Sequence, residues 1–545
     1  MAILTKTWNT AEVGAAGNLE SNLSIGGGVN EIHLLGIQIT PSESGGLSSY
    51  QVYSDDTFAG DIAWEAKANA MVPFYDPVKL DEDDNMSQEG TGYIGYLVDE
   101  DGTAEFHIKI SNQAAVGRTY EVKIWYAIMP IAGTDYFPIA VGSIPQSAIA
   151  NTYGLSWNES ADTYVRTGSL AGRPTSQTLA AALLPIQAAM RRCVLNDAGE
   201  VQYYLGATDS TKREDGVIAS DLTGTDGQVM VQIPAFYYKY GYSGTTHTWE
   251  ISLLPQAGFS LHPAFIKNGV PVEYRYIGAY EGIGWDASAS AYIDNTNVAA
   301  TGWSGGAIDT GADILSSVSG KNPITDETRA EFRAIAANRG TGWRQQDFDL
   351  TSAIQLLYLV EYADWNSQAM IGQGRTQLSG GTWTKDSYIG VTGKSNADGN
   401  GTNSVDGNTN AAYMTYRGIE NFFGNIWKWV DGINVNDNVP YVSNDDTVFA
   451  DDTAAGYTAL GITLANANGY QVLLEQQARG FLPASADGSG SSSTYITDYY
   501  YQNTGWRVVM LGGNATDGAY AGVAYWNASH ASASDSAAVG GRLCF

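Results

Sequence analysis

A chain of 545 residues is longer than one ordinary hydrophobic core can organise, and with 44% hydrophobic residues it can build about two to four domains. Its formal net charge of -30 repels phosphate backbones and anionic lipid, which argues against nucleic acid as a partner and against membrane insertion. Two cysteines, Cys193 and Cys544, and five scattered histidines provide neither a disulfide framework nor a zinc site.

The 63 glycines and 34 tyrosines, set against only 16% charged residues, indicate a turn-rich, mainly β protein with a few helices. The opening MAILTKTWNTAEVG lacks the apolar segment of a secretory signal, so the chain is expected to be made in a cytoplasm and to leave it, if at all, by lysis or another non-Sec route. Residues 1–130 alternate apolar and polar positions in Glu31–Ile39, Ala104–Ile110 and Tyr120–Ile128, and a β-sandwich is the expected domain. The acidic run Asp81-Glu82-Asp83-Asp84 has no fixed ligand spacing and reads as a solvated loop rather than a calcium loop. Mixed polarity without periodicity places a linker over residues 131–168, leaving 169–545 as the second domain.

In that domain Met190–Leu205 reads as strand, Asp-Ala-Gly turn and strand, and Gly227–Tyr240 as a strand bent or ended by Pro234. The spacing predicts a helix over Thr325–Asn338, with Phe332, Ile335 and Ala336 on one face and a stop at Arg339-Gly340. A second, mostly buried helix is predicted over Leu350–Ala363, capped by Asp349 or Thr351. The loop Lys394–Asn410 follows, where Asp398, Asn400, Asn403, Asp406 and Asn408 offer hard oxygen ligands to Ca2+ without EF-hand spacing.

In YRGIENFFGNIWKWVDGINV, Tyr416–Val435, a Gly424-Asn425 turn leads into a strand with Trp427 and Trp429 on one face, and Asp431-Gly432 is expected to turn the chain back. Pattern alone reads the two tryptophans as core. From Leu511 to Gly541 there is no Lys, Arg, Glu, Gln or Met, and the chain closes on GGRLCF, which reads as a buried strand. Tyr, Ser, Asn and Gly are residues of adaptable binding surfaces, because aromatic rings give contact area at low rotamer cost and short polar groups give flexible hydrogen bonding.

The GNIW-x-WV-D wording resembles the C-type lectin-like fold in its formylglycine-generating-enzyme form. Together with Met190–Leu205, Gly227–Tyr238, the two helices, GWRVVMLGG (Gly505–Gly513) and GGRLCF, it resembles the variable proteins of diversity-generating retroelements over roughly residues 150–545. That resemblance implies a C-terminal display domain whose 3' coding end is rewritten at adenines, with a variable region at about 511–541. It implies contact residues Asn514, Thr516, Asp517, Tyr520, Tyr525, Asn527, Ser529, His530, Ser532 and Asp535 on a scaffold of Trp427, Trp429, Trp506, Trp526 and Leu543. Trp526, whose one codon lacks adenine, would be invariant.

The function so implied is that of a phage tail receptor-binding protein, a homotrimer attached to other virion proteins through its N-terminal domain and adsorbing to a protein or glycan on a bacterial surface. Two alternatives remain at this point: a structural or decoration protein of a virion or cell surface, and a formylglycine-generating-type oxidase. The oxidase needs two neighbouring reactive cysteines, whereas Cys193 and Cys544 are far apart in sequence, so no catalytic residue is assigned.

Overall fold

The computed structural model describes residues 152–293, 308–379 and 388–545, apart from 177, 181–182 and 478–479 and the side chains of 476–477; before residue 152 it gives only the backbone of the strands. The chain divides into two units, Met1–Ile144 and Pro145–Phe545. It is mainly β, as composition predicts.

The first unit holds two four-stranded antiparallel sheets. One runs Ile3–Asn9, Tyr120–Met129, Glu31–Pro41 and Ile94–Tyr96; the other runs Asn18–Gly27, Thr103–Asn112, Ser48–Tyr53 and Ile62–Ala68. The three alternating runs seen in the sequence are all strands here. The acidic run at 81–84 lies outside the described residues.

In the second unit the end of the expected linker is instead a hairpin: Tyr153–Asn158 pairs with Thr163–Gly168 and, on its other side, with Thr246–Ser252. Tyr153, Leu155 and Trp157 are fully buried, a period-two signal hidden among the polar residues between them. A six-stranded sheet takes Arg191–Leu195, Val201–Tyr204 and Gln228–Pro234, then Tyr274–Gly278, the C-terminal Leu543–Cys544 and Arg344–Gln345. The closing strand is thus interior to a sheet, with Ile277 and Arg344 both opposite Cys544. Leu543 and Cys544 point to opposite faces and both are buried.

An eight-stranded sheet supports the C-terminal segment. Its central members are Trp427–Asn436, Trp506–Leu511, Trp526–His530 and Ile496–Gln502, and Val539–Gly540 joins beside Trp427 in parallel. The Gly424-Asn425 turn is present, with φ of +76° and +59°. Asp431-Gly432 does not reverse the chain, however. Gly432 takes φ +70°, the pairing with Trp506–Leu511 slips between Val430 and Val435, and the strand continues to a turn at Asp437-Asn438. A β-bulge reads in sequence like a turn because both use Asp-Gly.

Four α-helices are described: α1 (Pro185–Ala189), α2 (Arg329–Ala337), α3 (Phe348–Tyr362) and α4 (Ser367–Met370). Helix α2 starts later than predicted because Thr328 and Glu331 form a reciprocal capping box; Phe332, Ile335 and Ala336 are buried as expected. Helix α3 starts two residues earlier than predicted. Its cap is Asp347, which accepts the Leu350 N–H, and Ala363 ends it in the left-handed region. No described helix is long and apolar enough to cross a membrane.

Beneath the Tyr416–Val435 motif lies a buried polar network. Lys428 reaches Glu281 at 3.0 Å and the Gly424 carbonyl at 2.6 Å, while Asn425 donates to the same Glu281 carboxylate. Arg542 of the closing GGRLCF donates to the carbonyls of Gly278, Glu420 and Asn421. The two most specific stretches of the sequence therefore meet in one place, joined by charges that must be paired once buried.

Candidate functional site

The C-terminal segment leaves the Trp506–Leu511 strand at Gly512 and Gly513, whose φ angles of +92° and +79° turn it sharply. A side chain at Gly513 would come within 2.8 Å of the Tyr525 ring, so this glycine is also what lets Tyr525 pack beneath the turn.

From Gly512 to Ala524 the segment is held mainly by its own backbone. Gly424 N–H donates to Gly512, Ala515 N–H to Asn425, Leu378 N–H to the Ala515 carbonyl and Gly518 N–H to Thr376. Buried and half-buried side chains complete the clamp. Gln368 donates to the Gly518 and Ala521 carbonyls, both at 2.7 Å, and Gln355 to the Val523 carbonyl at 2.8 Å. Ser367 accepts the Val523 N–H at 3.1 Å, Gln471 donates to the Ala524 carbonyl at 2.6 Å, and Asp498 accepts the Ala524 N–H at 2.7 Å.

Of the ten expected contact residues, Thr516, Tyr520 and Asp535 are exposed, and Ser529, His530 and Ser532 are half-buried. His530 packs edge-on to Trp429, and Ser532 donates to the Asp452 carboxylate. Burial and then Arg507 hold the His530 imidazole below its ordinary pKa. Asp535 adds to the acidic field of Asp326 and Glu327.

Of the other four, Tyr525, Asn514 and Asn527 need correction, because each is buried in the fold, while Asp517 is half-buried. Tyr525 is completely buried, its ring centroid 4.4 Å from that of Trp427. Asn514 accepts the Thr516 N–H and hydroxyl, and Asn527 accepts those of Ser529, each closing a local turn. Asp517 accepts the Asn514 N–H, and burial pushes its carboxyl up to about 6. Of the expected scaffold, Trp427, Trp429, Trp526 and Leu543 are buried, while Trp506 is half-buried against Tyr441.

Around Tyr520 lies a group of tyrosines that the sequence reading did not single out. Tyr520 stacks on Tyr499 at 4.4 Å, Tyr470 stands edge-on to both, and Tyr501 lies 4.8 Å from Tyr499. The signal was present in TDYYYQ, Thr497–Gln502: strand parity buries Tyr500 and brings Tyr499 and Tyr501 to the other face. Beside this group opens a cleft of about 290 Å³, with Asn366, Gln368 and Gln373 along its wall, Thr497 and Asp498 deep within it and the exposed Ala519 at its mouth.

The oxygen-rich loop suits protein donors better than a cation. Asp398 accepts from Asn403 and Tyr413, Asn400 from the Arg192 N–H, and Asp406 from the Gly374 N–H and Ser404. Among the described residues no group of three or more His, Cys, Asp or Glu could hold a metal ion. Both thiols are buried and unpaired, and burial pushes them up to about 12 at Cys193 and about 11 at Cys544. No protein-family model matches the chain, and no curated protein matches it.

Proposed function

We propose that the chain is a receptor-binding protein of a phage tail, presenting a varied C-terminal surface on a C-type lectin-like domain to adsorb to a bacterial host. In this reading the first unit is a β-sandwich for attachment to other virion proteins, and three copies associate so that weak single sites add as avidity. No catalytic role is assigned, because each thiol is buried, unpaired and protonated, whereas a cysteine oxidase needs a reactive pair.

One observation carries the reading: the segment Gly512–Ala524 is fixed mainly through its own N–H and C=O groups and through buried or half-buried side chains from outside it. Such a loop keeps its course when exposed side chains such as Thr516 and Tyr520 are exchanged. A surface that varies while its scaffold stays constant requires this property.

The test replaces Thr516, Tyr520, Ser532 and Asp535 by Ala, singly and together. Each single change is expected to alter stability by under about 0.5 kcal/mol, read from thermal melts, while adsorption to host cells is lost or redirected. Adsorption unchanged by the fourfold variant overturns the reading in favour of a structural or decoration protein. The gene offers a second check: a near-repeat of its 3' end, differing mainly at adenines and lying beside a reverse transcriptase gene, is expected.

A further inference from the structure

Four buried carboxylates of the second unit are paired with cations: Asp347 with Arg275, Asp431 with Arg333, Asp451 with Arg329, Glu281 with Lys428. Asp498 lines the cleft beside the C-terminal segment, and no described ion pair reaches its carboxyl. It is 1% exposed, and the one described hydrogen bond to its carboxyl comes from the Ala524 N–H to Oδ2. The backbone is shaped around this carboxyl, since a side chain at Gly522 would come within 2.0 Å of Oδ1.

The rest of the cleft is neutral and rich in acceptors. Gln368 has spent its N–H groups on the Gly518 and Ala521 carbonyls and keeps its oxygen, and Thr497 also lines the cleft. At about 290 Å³ the space falls just under the roughly 300–1,000 Å³ of small-molecule sites, which suits one inserted side chain better than a whole metabolite.

We infer that this cleft is a specificity subsite for a single basic side chain, the ammonium of a lysine or the guanidinium of an arginine presented by a protein receptor. The cation would pair with Asp498 Oδ1, with Gln368 and Thr497 oxygens completing its shell. Burial holds the empty carboxyl well above the ordinary aspartate range, and an incoming cation supplies the charge that favours its ionised form. Opposite charge at a carboxyl that is itself buried also gives the pair its discrimination against neutral side chains. The source of the cation rests on the receptor-binding reading; the site itself does not.

The test titrates the full chain with N-acetyl-lysine methylamide, N-acetyl-arginine methylamide, the norleucine analogue and methyl glucoside, followed by calorimetry or by NMR. Saturable binding of at least one of the two cations is expected, and at least about tenfold weaker binding to Asp498→Asn. Ala519→Trp, at an exposed position on the mouth, should block the cleft by the same factor, and it decides the matter if the Asn variant fails to fold. Binding of norleucine equal to that of the cations, cation binding unaffected by either folded variant, or no cation binding overturns the inference. Methyl glucoside bound in place of the cations, and displaced by Ala519→Trp, would make the cleft a polyol site instead. Because these titrations need no host, their failure alongside intact, Tyr520-dependent adsorption rejects the subsite and leaves the receptor-binding reading standing.

Discussion

Tyr525 and Trp526 are adjacent and both buried, Tyr525 against Trp427 and Trp526 against Phe348 at 5.9 Å. Alternation sends them to opposite sides of the eight-stranded sheet, and both sides are covered there. That explains why Tyr525 looks in sequence like a contact residue, an aromatic among small polar neighbours, and is a core residue in the fold. Tyr525→Ala is expected to cost about 3 kcal/mol or more through lost packing and the cavity left under Gly513. Tyr520→Ala, by contrast, should leave the denaturation midpoint nearly unchanged. Chemical denaturation of the two variants checks this; equal midpoints would place Tyr525 on the surface after all.

Helix α3 shows what the sequence discloses about an element and what it withholds. Its apolar run announced a buried helix, and Phe348–Val360 is buried all round. Its cap is Asp347 rather than Asp349 or Thr351, because Asp347 is selected by a partner distant in sequence: Arg275, 2.5 Å away in the six-stranded sheet. The same limit hid the cleft, whose walls come from α4, the Ile496–Gln502 strand and the C-terminal segment. Strand periods and the Gly-Asn entry to Trp427 are local and legible, although the same local pattern reads the Asp431-Gly432 bulge as a turn; charge pairs and clefts depend on chain crossings that no local pattern encodes.

The α3 cap also sets a pH dependence. Burial opposes ionisation of Asp347, but Arg275, Arg344 and the Leu350 N–H outweigh it and hold the carboxyl below the ordinary range. A carboxyl whose folded pKa is depressed contributes fully above its unfolded value, about 3.9, and loses that contribution as pH falls through the folded one. Asp347→Asn should therefore lower stability by about 3–5 kcal/mol at pH 7, since it leaves a buried guanidinium half-matched. The deficit should shrink below about pH 3.9. Denaturation curves of the two proteins at pH 7 and in acid measure it, and a deficit independent of pH would assign the loss to packing alone.

At the scale of the whole molecule, 58 acidic against 28 basic residues give the chain a field that reaches well beyond contact. If the receptor offers a basic side chain to the Asp498 cleft, the field and the cleft act at different stages of one encounter. The field draws the partners together over a distance set by salt, about 10 Å at 0.1 M ionic strength and about 3 Å at 1 M. The pair at Asp498 forms only after water is excluded and is screened far less. Raising sodium chloride from about 0.1 to about 1 M should then slow association by about tenfold or more while changing dissociation little. Asp498→Asn should do the reverse, speeding dissociation with a small effect on association. Stopped-flow or surface kinetics with purified host envelope separates the two rates. Association that is insensitive to salt, or faster in high salt, would mean that the receptor surface is neutral or acidic, and the acidic surface would then serve only to keep the protein soluble.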